Sequence, residues 1–394
     1  MRFTWGAVYA LLWIYRSVFS YLAQAVILRL TSVPDTSGYQ AFGFSQLTDV
    51  LNTTDVEVGP LMQRHAGLVT QVVAAILNIL TGGNAVLINI GFQSIAFAGI
   101  VYFLHGLDTK TRTFILVLVM TPSFTLWSSI ASKESLVVFL TCILSRYVVD
   151  IYRGCGHLTF LRIGALLLTI GMLYIFKPHF IPALLFVAGT SKAAQYVREK
   201  ATVALFAAGA SVLALYLVRE SVDRFARLVT TWVTAEPGVS NRSRGASLIV
   251  NQYDVFVNAP QGMFQAFLGP TLDEAMTGGV LHLASFAEGI LMIVVLATVV
   301  VWRLPRMPVY SAVLAGFTAL WTMFANYPVG LANPGTAVRY RTDYLVLIFL
   351  ALAVLTSRRL YVEWQANSRQ RQPRTRVRWS AFASTRGQAV AVQP

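Results

Sequence analysis

Charge is what this chain lacks most: Asp, Glu, Lys and Arg make up 12% of its 394 residues, and only 17 of them are acids. A soluble domain carries about 25% charged residues to cover its surface, so a water-exposed globule is excluded. Cysteine is almost absent. Cys142 and Cys155 flank the end of one apolar run; no Cys/His spacing suits zinc, and a cysteine placed inside a bilayer argues against a structural disulfide. Also missing are a Gly-rich phosphate-cradling loop, a His-Glu-x-x-His helix and a Gly-x-Ser-x-Gly elbow. Soluble nucleotide chemistry therefore has no visible site. No internal repeat is detectable, and repeats are the usual mark of a transporter.

What is present is hydrophobicity in long runs. Hydrophobic residues make up 56% of the chain and its mean hydropathy is +0.61. Runs of 18 to 25 apolar residues suffice to cross the roughly 30 Å hydrocarbon layer as helix. Apolar runs cover residues 6–29, 84–104, 113–130, 135–149, 159–176, 179–190, 201–218, 281–302, 308–326 and 342–356. The first, Gly6 to Leu28, contains Arg16 and is followed by no small-x-small cleavage site, so it reads as a retained span and not a signal peptide. The stretch Ala66–Leu80, with Gln71 and Asn78, is either a short span or an amphipathic interfacial helix.

The net charge of +14 is explained by topology. From Arg358 to Arg386 the chain holds eight arginines against the single acid Glu363, half of the whole surplus. A basic segment after a last apolar run follows the positive-inside rule and is attracted by anionic lipid. No stacking or groove-reading pattern accompanies it, so nucleic acid is not an expected partner. With the N-terminus inside and Ala66–Leu80 interfacial, every short basic loop falls on one side. These loops hold Lys110 and Arg112; Arg146, Arg153 and Arg162; Lys192, Arg198 and Lys200; and Arg303 and Arg306.

The expected architecture is thus an all-α polytopic transmembrane helical bundle of about ten spans with short outer-face interfacial helices. Its helical domain covers 1–357, with outer loops 31–65, 219–279 and 326–344. A basic, disordered cytoplasmic tail covers 358–394. Both termini are expected in the cytoplasm, and the expected location is a bacterial inner membrane.

The polar residues left on the opposite face are the candidates for chemistry. Asp35, in Pro34-Asp35-Thr36-Ser37-Gly38-Tyr39, is a carboxylate at the membrane boundary. It is suited to act as general base or to hold a divalent cation, and equally to cap a helix or open a turn. Lys133-Glu134 opens an apolar run: Lys133 either snorkels or meets a phosphate, and Glu134 either suits the helix dipole or orients a substrate. Lys177-Pro178-His179 divides a long apolar stretch, so its polar residues either hydrate a proline break or contact phosphate. His179 has no partner at metal-ligand spacing. Arg339 and Arg341 stand on the face where arginine is disfavoured. They point the same way if extended and diverge by roughly 200° if helical. Bidentate phosphate binding would explain them, as would an ion pair with Asp343 or with an acid of Arg219–Gly279.

The Asp35–Tyr39 stretch, the interfacial helix near Ala66–Leu80, Pro122–Glu134 and the Asn333–Arg341 turn together resemble polytopic glycosyltransferases of the GT-C class and related membrane proteins of exopolysaccharide and O-antigen clusters. The resemblance implies transfer of a sugar or glycan from a polyprenyl-phosphate-type carrier to an acceptor hydroxyl on the non-cytoplasmic face. It places the base, or the ligand of a divalent cation, at Asp35, with Glu134 as substitute. Many members carry an acidic pair there, whereas Asp35 stands alone, which points toward a polymerase-type enzyme dependent on arginines. Lys133, Lys177, His179, Arg339 and Arg341 would meet phosphate, and Tyr39, Trp127 and Tyr340 would stack on sugar rings or anchor at the interface. The sequence requires no cofactor. Membrane lipid and a lipid-linked sugar or glycan are the expected partners. A lipid-linked oligosaccharide polymerase and a transporter or flippase of lipid-linked glycan are the competing readings.

Overall fold

A computed structural model of the protein describes residues 4–27, 34–43, 61–153, 159–235 and 249–356, and all regular structure among them is helical. The first helices are α1 (Trp5–Leu22), α2 (Pro34–Gln40), α3 (Leu61–Thr81), α4 (Ala85–His105), α5 (Thr109–Val119) and α6 (Pro122–Trp127). There follow α7 (Lys133–Arg153), α8 (Phe160–Phe176), α9 (Ile181–Ala193), α10 (Lys200–Leu217) and α11 (Arg219–Ala235). The last are α12 (Asp254–Val257), α13 (Ala259–Leu268), α14 (Leu272–Thr277), α15 (Val280–Arg303), α16 (Val309–Ala332) and α17 (Pro334–Thr356). The expected basic tail lies outside the described residues.

Five helical segments among the described residues are long and apolar enough to cross a membrane: Ala85–His105, Lys133–Arg153, Lys200–Leu217, Val280–Arg306 and Val309–Leu331. That accords with an integral membrane protein. The expected count of about ten spans is not confirmed among the described residues, for local reasons. The run 113–130 is interrupted at Met120–Thr121, where Pro122 starts α6, and the stretch 159–190 is interrupted at Lys177, where Pro178 starts a 3-10 turn. Helix α17 is 23 residues long, but Arg339, Arg341 and Asp343 crowd its first half. Ala66–Leu80 belongs to the 21-residue α3. The expected outer turn 326–344 is helical on both sides of the extended residue Asn333.

Helix α17 is the centre of the bundle. Every residue from Arg341 to Leu355 is buried, and from Tyr344 onward the helix is apolar all round, as a buried helix is. It packs on α16, α7, α13 and α6. Helices α4 and α7 approach closely at Gly99, where an added Cβ would lie 2.8 Å from the Phe139 Cα; a small residue is what such a crossing needs. Helices α10 and α15 are peripheral, with only Ala204 buried on α10 and Gly289 and Met292 on α15.

The described residues of 219–277 form a cap of short helices. Ile249, Val255, Ala259 and Ala266 pack against Tyr327 and Leu331 of α16. The carboxylate of Asp254 accepts from the Val250 N–H at 3.0 Å and the Asn251 N–H at 2.6 Å, which holds its carboxyl below the usual range. Asp223 accepts from the Tyr253 N–H at 2.8 Å and pairs with Arg227 at 2.8 Å.

Candidate functional site

Between α6 and α7 the chain leaves the helix for Ser128–Ser132, all of it buried. Buried backbone that is not helical must find partners elsewhere, and here side chains supply them. Ser132 Oγ donates to the Trp127 carbonyl at 3.2 Å and Ser135 Oγ to that of Ile130 at 2.8 Å. From α1, the Arg16 guanidinium donates to the Ser128 carbonyl at 2.8 Å and Ser20 Oγ to the Ser129 carbonyl at 2.8 Å. The Ala131 N–H donates to Asn89 Oδ1 of α4 at 2.9 Å. Arg16 is fully buried and makes no ion pair among the described residues; its Nε and Nη1 have no hydrogen-bond partner.

This break delivers Lys133 and Glu134 into the first turn of α7. Glu134, 4% exposed, accepts from Arg339 of α17 through both oxygens, at 2.7 Å from Nε and 3.1 Å from Nη2. The guanidinium lies 5.6 Å from the Trp127 ring centroid. One turn further along α17, Asp343 is completely buried and pairs with Lys177 at 3.1 Å. The Lys177 ammonium also sits 3.5 Å from the Tyr340 ring centroid, a cation–π contact. Lys177 reaches this position because Pro178 ends α8 there. Each of the two acids, Glu134 and Asp343, is within electrostatic reach of both Lys177 and Arg339. The site is thus a four-charge cluster, two cations and two acids, with Trp127 and Tyr340 at its border.

Arg341 goes elsewhere. Arg339 and Arg341 are helical and diverge, the second of the two geometries expected. Arg341 is fully buried and donates to the carbonyls of Phe267 at 3.0 Å and Leu268 at 3.3 Å, and to Ser123 Oγ at 3.1 Å. Glu288 of α15 lies 3.5 Å from it and accepts from the Ser123 N–H at 2.9 Å and from the Ser123 hydroxyl. The ion pairs seen among the described residues bring each arginine to an acid other than those expected. Arg339 takes Glu134, Arg341 takes Glu288, and the Arg219–Gly279 segment meets Arg341 through carbonyls.

Of the other candidates, His179 is turned to α16: Nε2 lies 3.2 Å from Asn326 Oδ1, and its carbonyl accepts from Trp321 Nε1 at 3.0 Å. It braces the Pro178 break. Lys133 is half-buried beside Glu134. Tyr39 is buried with Ala131 and Leu136, and Phe176 packs on the same cluster, so α2 is fixed behind the break. Gln40 strengthens that link, donating to Asn89 Oδ1 at 2.9 Å and to Gln24 Oε1 at 2.8 Å. The side chain of Asp35 lies outside the described residues; its backbone opens α2 one turn before Tyr39.

Two residues of this region are invisible as site candidates from sequence, and a third is visible only in part. Asn89 and Glu288 are lone polar residues within apolar runs, and a polar residue in a span is itself the signal that a partner exists. Asp343 is visible only as a companion for an arginine. Among the described residues no three His, Cys, Asp or Glu side chains come together as metal ligands. No protein-family model, curated protein or solved structure matches the chain.

Proposed function

We propose that this chain is a GT-C-like membrane glycosyltransferase, moving a sugar or glycan from a polyprenyl-phosphate-type carrier to an acceptor hydroxyl on the non-cytoplasmic face. The observation that supports it is the cluster itself. Lys177 and Arg339 come from distant stretches of the chain to one place, where acids and two aromatic rings accompany them. In the reaction the acceptor oxygen bonds to the anomeric carbon as the carbon–oxygen bond to phosphate breaks. The bonding pair leaves on the phosphate oxygen, the acceptor proton passes to a carboxylate, and the anomeric centre inverts. Asp35 is the assigned proton acceptor, with Glu134 as substitute. Lys177 and Arg339, with Lys133 beside them, stabilise the charge growing on the departing phosphate, the largest electrostatic demand of such a step. Trp127 and Tyr340 present apolar faces for sugar rings.

A test is transfer from a synthetic lipid-phosphate sugar by the protein in liposomes. Arg339→Gln is expected to lower the rate by about 10²–10³-fold, the usual cost of one such donor. A variant that transferred at the wild-type rate would remove the phosphate assignment. A polymerase reading has its own support, since Glu134 is already committed to Arg339 and the chemistry would then lean on cations. It predicts a ladder of products where a transferase gives single additions.

The finer topology belongs to this proposal: about ten spans, with both termini in the cytoplasm and the four-charge cluster toward the opposite face. Cysteines placed singly at the exposed positions Ser37 and Gly335 should label with an impermeant maleimide from outside, in a chain lacking Cys142 and Cys155. One at exposed Ala193 should label only from inside. Opposite accessibility of Ser37 and Gly335 would put Asp35 and Arg339 at different faces and favour a transporter.

A further inference from the structure

We propose that Arg339 exchanges Glu134 for the phosphate of an incoming lipid, so that occupancy of the site releases the carboxylate. The inference rests on the preceding reading of the donor as a lipid phosphate, and adds how that donor would be admitted and what its arrival would change.

The first argument is shape. Glu134 occupies the guanidinium side-on, one oxygen on Nε and the other on Nη2. Two parallel N–H groups in that spacing fit a phosphate as well as they fit a carboxylate. Carboxylate and phosphate therefore compete for the same edge.

The second is direction of approach. The Arg339 side chain is 18% exposed and that of Glu134 4%. A ligand arriving from solvent or lipid meets the guanidinium first, with the carboxylate behind it. By contrast Arg341, fully buried and bound to Phe267, Leu268, Ser123 and Glu288, is closed to any ligand.

The third is charge. Lys177 and Arg339 are matched by Asp343 and Glu134, so these four groups sum to zero. Each of these two cations is already matched, so an anion gains one of them only if that cation changes partner. Lys177 is held by the completely buried carboxylate of Asp343 at 3.1 Å and is 11% exposed, which leaves Arg339, the more exposed of the two at 18%, as the cation able to switch. The released carboxylate is not stranded, because Lys177 is within its electrostatic reach. Glu134 is then a carboxylate without its guanidinium, beside a bound donor, and able to take the acceptor's proton. Substrate arrival thereby prepares Glu134 for its role as substitute for Asp35.

The experiment uses the full chain in nanodiscs, with farnesyl phosphate and inorganic phosphate as separate probes. Binding is followed by thermophoresis. Reaction of Glu134 with dicyclohexylcarbodiimide, which attacks carboxyl groups free to protonate in apolar surroundings, is followed by peptide mass spectrometry. Severalfold faster modification of Glu134 on farnesyl phosphate binding supports the exchange. The same response to inorganic phosphate also supports it and assigns the site to phosphate in general; a response to the lipid alone assigns it to a lipid headgroup. Arg339→Gln should be modified rapidly with no probe, and Glu134→Gln should bind the probe more tightly, having lost the competitor. If Arg339→Gln fails to fold, Arg339→Lys, which cannot form the fork, replaces it.

Binding of farnesyl phosphate with no change at Glu134 would overturn the exchange and leave the donor assignment standing. Slow modification in the unliganded Arg339 variant would overturn the exchange as well, since pairing would not be what protects Glu134. Absence of binding by either probe would overturn the exchange and the lipid-phosphate reading together.

Discussion

Replacing Lys177 with methionine is expected to destabilise the protein by about 3 kcal/mol, the lower end of the cost of breaking a buried ion pair. The reason is Asp343, which is completely buried and has Lys177 as its ion-pair partner at 3.1 Å. Without the ammonium the carboxylate must either stay charged in an apolar interior or take up a proton, and protonation limits the loss. Methionine keeps the length of the lysine stem, so packing against Tyr340 changes little. Adding Asp343→Leu to the same chain should recover most of the loss, because an apolar pair of similar volume often matches a buried ion pair. Denaturation midpoints in detergent for the wild type, both single variants and the double variant form the measurement. Equal destabilisation by the double variant would mean that the pair is not what Lys177 contributes. Transfer activity should be lost in both, which separates the chemical role from the structural one.

Arg341→Met should cost more, about 3–5 kcal/mol. One guanidinium joins four elements: the end of α13 through two carbonyls, α6 through Ser123, α15 through Glu288, and α17, to which it belongs. Its removal leaves two buried carbonyls without this donor and Glu288 without its cation. Lysine cannot replace it, since a single ammonium does not span that fork. Gly289 shows how tight the join is: a Cβ there would overlap the Leu268 carbonyl and lie 3.1 Å from Arg341 Nη1. Hydrogen exchange should rise over Ala259–Leu268 in Arg341→Met before it rises in α7. Uniform exchange across both would place the loss in the bundle and not in the attachment of the cap.

Both arginines were legible in the sequence, because they stand on the face where the positive-inside rule disfavours arginine. Lys133-Glu134 stood out as charges at the start of an apolar run, Lys177 as a cation at a proline break and Tyr340 as an aromatic beside the arginines, and the structure brings Glu134, Lys177, Arg339, Trp127 and Tyr340 together. Their pairing was not legible, since partners more than a hundred residues apart leave no mark on local pattern. The region 326–344 is instructive. Pro328, Gly330, Pro334 and Gly335 read as breakers, yet Pro328 lies inside α16 and Pro334 opens α17. Proline is tolerated within helices packed among neighbours and is favoured at the first helical position. Asn89 and Glu288 were missed for the opposite reason. Each sits within an apolar run that scores as a span with or without it.

The bracing of Ser128–Ser132 by α1 bears on biogenesis. Arg16 is synthesised 112 residues before Ser128, whose carbonyl it will bind. A lone arginine near the middle of a helix entering the bilayer costs roughly 2.5–3.5 kcal/mol on insertion scales. The group that receives this guanidinium, the Ser128 carbonyl, is made only with α6 and the break that follows it. Ser128 and Ser129, for their part, can leave helical geometry only when α1 is there to receive their carbonyls. The position of Glu134 is thus settled only once α1 and the Ser128–Ser132 break have met.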